Sequence, residues 1–540
     1  MNSELIMKNL LELCAVPSIS DSGGERAMSQ KLREMLLRVP YFVQHPSQIE
    51  IFPIENDPKG GTYLFALMRC RREQAKTLLL LSHFDVVGVE EYGAAQALAF
   101  DPARYTGYLK TGAISLPAQA KMDLESGNFL FGRGTCDMKW GIAADLELLR
   151  WFSEHPEQLG VNLLMVSVPD EERNSIGMLS AAKRLLSYRE ANRLTYTCCL
   201  VGEPDISPEQ GGSVKKMHVG AAGKLMPLFY CAGKETHVGE PFCGLNPNLL
   251  LSEITARMEL SADFIDSDRG CYTPAPTCLK QSDLKTAYSV QTPCAAYAYY
   301  NVMTITHTPE QLLRLMEQTA RDAFADTLRR IEEKHAGAEK KLGRAVRRDV
   351  FTPKVMRYGD LFRLCEQAHG KTFTAHMEQF LEQSEETDLR LLTVELIREA
   401  HSFCPDRDPM VILCFAPPYY PHSGFIEEDS PTIRACRALA KEAENFGEAF
   451  AIDYCFNGLT DMSYLSLRGD VDTAALRESF PVWGARYSVP LEEIRALDIP
   501  FINFGPLGRD PHKFTERVDL AYSFGKAPEL LLRLVRLLSE

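Results

Sequence analysis

The chain has 540 residues, 45% of them hydrophobic and 24% charged, enough to build more than one domain with its own core. A formal charge of -14 leaves nothing in the overall field to draw nucleic acid or an anionic bilayer, and no run of eighteen or more apolar residues is present. Fifteen cysteines, an odd number without paired spacing, read as reduced thiols of a cytoplasmic protein rather than a disulfide framework.

The opening stretch MNSELIMKNLLELCAVPSIS has the pattern of an amphipathic helix, not of a basic segment followed by an apolar one, so neither secretion nor membrane insertion is expected. From Ile51 to about Gly202, strand-like runs (IEIFPI, TYLFALM, TLLLLSHFDVV, VNLLMVSV, TCCLVG) alternate with helices over Lys139 to Phe152 and near Met178 to Leu186. That alternation predicts an α/β sheet flanked by helices. The same grammar returns in AFAIDYC, DIPFINFG and a Leu-rich helix over Ala527 to Leu538, so one sheet is built from both ends of the sequence. Between them, KLMPLFYCAG and AYAYYNVMTI each precede a long helix, near Asn248 to Leu260 and Pro309 to Lys334, the signature of an inserted α+β domain. Charged helical segments around one strand, MVILCFAPPYY, follow. The resulting division is 1–211 and 425–540 for an α/β domain with a mixed central sheet, 212–334 for the insertion and 335–424 for a helical extension of it.

Chemistry collects at the strand ends, where open α/β sheets form ligand crevices. In LLLLSHFDVV, His83 and Asp85 lie two residues apart and share a face of the strand. FGRGTCDMKWG places Asp137 before a helix, with Gly132 and Gly134 permitting a tight backbone. VSVPDEERNSIG sets Asp170, Glu171 and Glu172 directly after an apolar strand, LVGEPD supplies Glu203, and INFGPLGRDPHKFTE supplies His512 and Glu516. Taken singly, a carboxylate before a helix is a cap or a dipole partner, and a His-x-Asp is a strand leaving the core. Two imidazoles with three or more carboxylates at one kind of place instead match the mixed N/O donors of zinc or a similar divalent ion, in a number that suits two metals. GRGTCDMKWG lacks the Gly-Lys-Ser/Thr ending of a phosphate loop, which leaves a nucleotide-handling reading without support.

In order along the chain, SHFDVV, GRGTCDMKWG, PDEERNSIG, VGEPD, GKETHVGEPFCGLNPN and GPLGRDPHKFTE resemble the M20 peptidases, a group of dinuclear zinc amidohydrolases. The segment PTCLKQSDLKTAYSVQTPCAAYAYYNV further resembles the bacterial arginine-utilisation branch of that family. The resemblance implies that His83 binds one metal and His512 the other, that Asp137 bridges them, and that Glu172 and Glu203 each complete one shell. It implies Asp85 as the acceptor of the His83 ring N–H, Glu171 as general base, a cis peptide after Asp137, and His237 as an oxyanion donor carried by an inserted lid domain. Two zinc ions, or cobalt or manganese, are the implied cofactors. The implied substrate is a small peptide or N-acyl amino acid, in arginine or amino-acid catabolism. The chain is then either a homodimer or a monomer whose extension replaces the partner. AYAYYNVMTI offers Asn301 and Met303 where relatives acting on a free α-carboxylate carry an arginine, so the substrate's anchoring group stays open. Asn301, His218, Tyr419, His422 and Asp461 are candidates for the substrate pocket or for structural polar groups. The competing expectation is a non-catalytic protein of the same fold that binds an amino acid or peptide.

Overall fold

The computed structural model describes residues 1–540 except Asn56, Pro58, Glu73, 207–213, Leu459, Asp470, Asp472 and Glu540. Two compact units are present: Met1–Ala221 with Ser423–Arg468 and Pro490–Glu540, and Ala222–His422 with Gly469–Val489. The architecture is the mixed α/β arrangement expected from the alternation of strands and helices.

The first unit is organised by an eight-stranded mixed sheet in the order Ile49–Pro53, Thr62–Met68, Asn162–Val168, Lys76–His83, Thr195–Val201, Phe501–Asn503, Val214–His218, Ala449–Asp453. Lys76–His83 lies at its centre, parallel to both neighbours, and Phe501–Asn503 continues the parallel run beside Thr195–Val201. Leu78, Leu79 and Leu80 are fully buried, each stabilising the fold by about 1.5–3 kcal/mol relative to exposure. Helices Lys139–Glu154 and Ile176–Asn192 make the crossovers that parallel pairing requires. Because these strands run the same way, the segments after His83, Val168, Val201 and Asn503 emerge at one edge of the sheet. A close approach helps to gather them: a Cβ on Gly202 would stand 2.7 Å from the Cα of Gly141, so helix start and strand end touch backbone to backbone just before Glu203. At the N-terminus, Ser3–Cys14 is the expected amphipathic helix, capped by Asn2 and burying Ile6, Leu10 and Leu13.

The second unit carries a six-stranded sheet in which Thr277–Asp283, Ala295–Thr304, Pro227–Ala232, Met410–Phe415 and Val355–Arg357 follow one another and Gly223–Leu225 pairs with Ala295–Thr304. Helix Pro309–Leu342 starts in a capping box between Thr308 and Gln311 and ends at Gly343, whose φ of 63° suits a residue without a Cβ.

The two compact units divide the chain at other positions than the expected domains do. The division at 211/212 falls outside the described residues, and the first unit continues to Ala221, because Val214–His218 pairs in parallel with Ala449–Asp453 in the first sheet. Residues 335–422 lie in the same compact unit as the strands of the insertion, together with Gly469–Val489. Met410–Phe415 is fully buried between Pro227–Ala232 and Val355–Arg357, where its backbone groups find their partners. All fifteen cysteines are free, and among the described residues no helix is long and apolar enough to cross a membrane.

Candidate metal centre

The central strand delivers His83 at its last position, with the imidazole almost completely buried. Nδ1 lies 3.1 Å from the backbone carbonyl oxygen of Asp85 and 3.4 Å from its carboxylate. The nearer acceptor is thus the carbonyl, where the carboxylate was expected. Nδ1 facing a carbonyl carries the hydrogen, which leaves Nε2 as the nitrogen with a lone pair for a cation. The Asp85 carboxylate is drawn instead to the next loop: Oδ1 accepts the backbone N–H of Glu171 at 3.1 Å, Oδ2 that of Glu172 at 3.2 Å, and Oδ2 also the hydroxyl of Ser20 at 2.7 Å. That loop turns sharply because Asp170 adopts φ 66°, a left-handed conformation that Asp tolerates better than most residues, and its carbonyl accepts the N–H of Ser175 at 2.7 Å.

Asp137 stands between the two imidazoles. Its Oδ1 lies 3.2 Å from His83 Nε2 and its Oδ2 3.1 Å from His512 Nε2, while Glu172 Oε2 is 3.0 Å from His512 Nε2 and Glu203 Oε1 is 3.7 Å from His83 Nε2. The Asp137–Met138 peptide is cis. Among the described residues, three donor sets offer one ligand atom from each residue, all within 4.8 Å of one another: His83, Asp137, Glu203; Asp137, Glu172, His512; and His83, Glu171, Glu172. The first two share Asp137 and use each remaining donor once, the pattern of a candidate dinuclear centre. Glu172, not Glu171, is the neighbour that faces His512.

The electrostatics show a cluster in need of positive charge. Burial alone would lower the His83 imidazole, but Glu171, Glu203, Asp137 and Asp85 outweigh it and raise it well above its usual range. Burial opposes the His512 cation in the same way, yet Asp137 and Glu172 push it up to about 11. Among the acids, burial raises Glu171 well above the carboxylate range and Glu203 to about 8, and it raises Glu172 as well. Asp137 is held low in spite of its burial, because both imidazoles donate to it. Protons occupy the places where divalent cations would satisfy all these carboxylates together.

Asp461, named from the sequence as a pocket residue, belongs to the same unit. It is 3% exposed. Burial raises its pKa to about 8, with His83, Asp85 and Asp170 among the charges acting on it. His237, Asn301 and His422 lie in the second unit. His237 is exposed, and its Nδ1 accepts the N–H of Gly239 at 3.0 Å. Asn301 sits on strand Ala295–Thr304 with a buried Oδ1 that makes no hydrogen bond, and burial lowers the His422 imidazole to about 4. Two residues near the donors went unremarked in the sequence. Ser20 was hidden in a loop far from the motifs, whereas Arg133 stood in plain view inside GRGTCD.

The sequence model of peptidase family M20/M25/M40 matches residues 79–477. This chain belongs to that family and is a hydrolase of it. It is 36% identical to the protein YqjN of Bacillus subtilis over 529 residues, 97% of this chain and 94% of that one. Identity to Protein RocB of the same organism is 31% over 533 residues, 96% and 92% of the two chains. The fold is similar to that of a tripeptidase from Staphylococcus aureus, with TM-score 0.54, 15% identity and coverage of 100% of this chain and 99% of that one. Aminopeptidase PepT from Bacillus cereus gives TM-score 0.53 at 13% identity, with both chains covered completely.

Proposed function

We propose that this chain cleaves an amide bond in a small peptide or an N-acyl amino acid, with His83, Asp137 and Glu203 holding one divalent cation and Asp137, Glu172 and His512 a second. The observation that carries the reading is the shared carboxylate, whose two oxygens face different imidazoles. Zinc suits the mixed N/O set, with cobalt or manganese as alternatives. When bound, the cations would supply the positive charge that makes a water acidic enough to attack near neutral pH and that polarises the scissile carbonyl.

The chain's own groups divide the remaining work. Glu171 takes a proton from the attacking water on a carboxylate oxygen and passes it to the leaving nitrogen. Asp85 ties the backbone of this base to that of the ligand Glu172, so neither drifts independently of the other. His237 donates to the developing oxyanion. Its Nδ1 is occupied as an acceptor, so the neutral ring carries its proton on Nε2 and is already in the donor tautomer. His237→Ala is expected to lower kcat by about 10²–10³-fold with the metal content unchanged, measured by steady-state kinetics beside elemental analysis; a wild-type kcat would remove His237 from the mechanism.

Metal uptake is expected to release protons. Glu203, raised to about 8, and His512, raised to about 11, hold protons in the metal-free fold that the unfolded chain sheds at lower pH. The stability of the metal-free protein therefore falls as pH rises from about 4.5 to 8 through Glu203 and from about 6.5 to 11 through His512, and apparent metal affinity climbs as those protons leave. Calorimetric titration with Zn²⁺ at pH 7 in two buffers of different ionisation heat reads this directly. Binding heats that do not depend on the buffer would contradict it.

On the substrate side, Asn301, whose buried Oδ1 makes no hydrogen bond, His422 and Asp461 are each proposed as substrate-binding residues. The resemblance of PTCLKQSDLKTAYSVQTPCAAYAYYNV to the bacterial arginine-utilisation branch of the family supports an arginine-containing substrate in amino-acid catabolism. The discriminating assay compares acyl and peptide amides of arginine with those of lysine and of neutral residues; equal kcat/KM across the panel would argue against the arginine assignment.

A further inference from the structure

The mechanism above makes no use of Arg133 and Glu516, yet both are buried and charged, at 1% and 0% exposure. Arg133 Nη1 donates to Glu516 Oε2 at 2.7 Å, joining positions 383 residues apart in the sequence. Nη2 donates to the backbone carbonyl of His512 at 3.1 Å, to that of Gly88 at 3.2 Å and to Glu91 Oε1 at 3.1 Å. The other oxygen of Glu516, Oε1, accepts the backbone N–H of Cys136 at 3.3 Å and of Asp137 at 3.4 Å. One ion pair thus grips the backbone on both sides of a single donor set, at Asp137 and at His512.

Burying two charges costs more than their attraction returns unless further hydrogen bonds are made. Here most of those bonds go to the segments that present Asp137 and His512. His512 also has a particular need of them: its φ of 65° lies in the left-handed region, where a residue with a side chain stays only if its surroundings hold it. The Arg133 hydrogen bond to its carbonyl is such a hold. Glu203, which serves only the other donor set, receives no hydrogen bond from either residue among those described.

We propose that Arg133 and Glu516 are positioning residues for the cation held by Asp137, Glu172 and His512, acting through the backbone of two of its three donors. This rests on the dinuclear reading. Its consequence is selective: disturbing the pair weakens one cation and leaves its neighbour at His83 and Glu203 largely in place.

The test is titration of metal-free wild type, Arg133→Lys and Glu516→Gln with Co²⁺, followed by visible absorption, with thermal unfolding of each metal-free protein alongside. Lysine keeps the charge but has a single head that cannot span Glu516 and the His512 carbonyl in the fixed fork of a guanidinium, and glutamine keeps the shape with a weaker acceptor. Wild type is expected to take two equivalents. Both variants are expected to bind one equivalent as wild type does and the second about 10–100-fold more weakly with an altered spectrum, whatever lowering of the metal-free unfolding temperature follows from breaking a buried pair. Two equivalents at wild-type affinity in both variants would overturn the proposal, as would equal weakening of both equivalents together with a lowered unfolding temperature. If a single variant does not fold, the charge-free pair Arg133→Met with Glu516→Gln is read by the same criteria. A wild type that took up no cobalt would overturn the dinuclear reading itself, whereas undiminished binding in the variants overturns only the positioning role.

Discussion

Glu171→Gln is expected to keep both divalent cations and lose turnover by about 10²–10⁴-fold, or about 3–5 kcal/mol of transition-state stabilisation. The substitution preserves shape and the backbone N–H that Asp85 accepts, so the loop that carries Glu172 stays where it is. What disappears is the proton acceptor. Glu171 is buried, and it is the one carboxylate of the three donor sets not needed to complete the two that share Asp137. A buried carboxylate repelled by Glu203 and Glu172 is costly to keep, and general-base work gives it a chemical use. The check is kcat on any amide substrate of the wild type, with metal counted in the same preparation. Wild-type turnover would remove Glu171 from the mechanism, and loss of metal along with turnover would make it a ligand.

Asp137→Ala is expected to have the largest effect on metal content, reducing two cations per chain to well below one. Within the two sets that share Asp137, every other donor serves one, so removing Glu203 or His512 strips a single cation, whereas Asp137 belongs to both. Its loss also removes the one carboxylate that faces both imidazoles, leaving His83 beside Glu203, Asp85 and Glu171 and His512 beside Glu172. Partners outside the donor shell change metal affinity by about 10–100-fold, and a shared ligand exceeds that range. Elemental analysis after gel filtration distinguishes this outcome from retention of one cation, which would mean that the two sets do not depend on a common carboxylate.

Much of this site was legible because period two and the parallel sheet work together. An apolar run that ends in His-x-Asp, and others that end in Asp-Glu-Glu or Gly-Glu-Pro, read as strands delivering polar groups to one edge, and the structure gathers His83, Asp137 and Glu203, and Asp137, Glu172 and His512, into two sets that meet at Asp137. The partner of the His83 ring was less accessible. Whether it meets the carboxylate or the carbonyl of Asp85 depends on the backbone path over two residues, and the Glu171 and Glu172 amides decide it by claiming the carboxylate. Arg133 stood in plain view, but its glycine neighbours drew the reading to backbone freedom and its partner lies at the far end of the chain. The stretch around Tyr92, Tyr105, Leu109 and Leu124 builds a small separate core from short helices too brief to carry a period. Val214–His218, with two lysines in five residues, looks like a surface segment and becomes a strand only because Ala449–Asp453 pairs with it.

The measurement that bears most directly on the central claim is anomalous diffraction from a crystal of this chain grown with Zn²⁺. The account predicts two peaks about 3.5–4 Å apart, one among His83, Asp137 and Glu203 and the other among Asp137, Glu172 and His512. A single peak, or a pair that does not share Asp137, would contradict it.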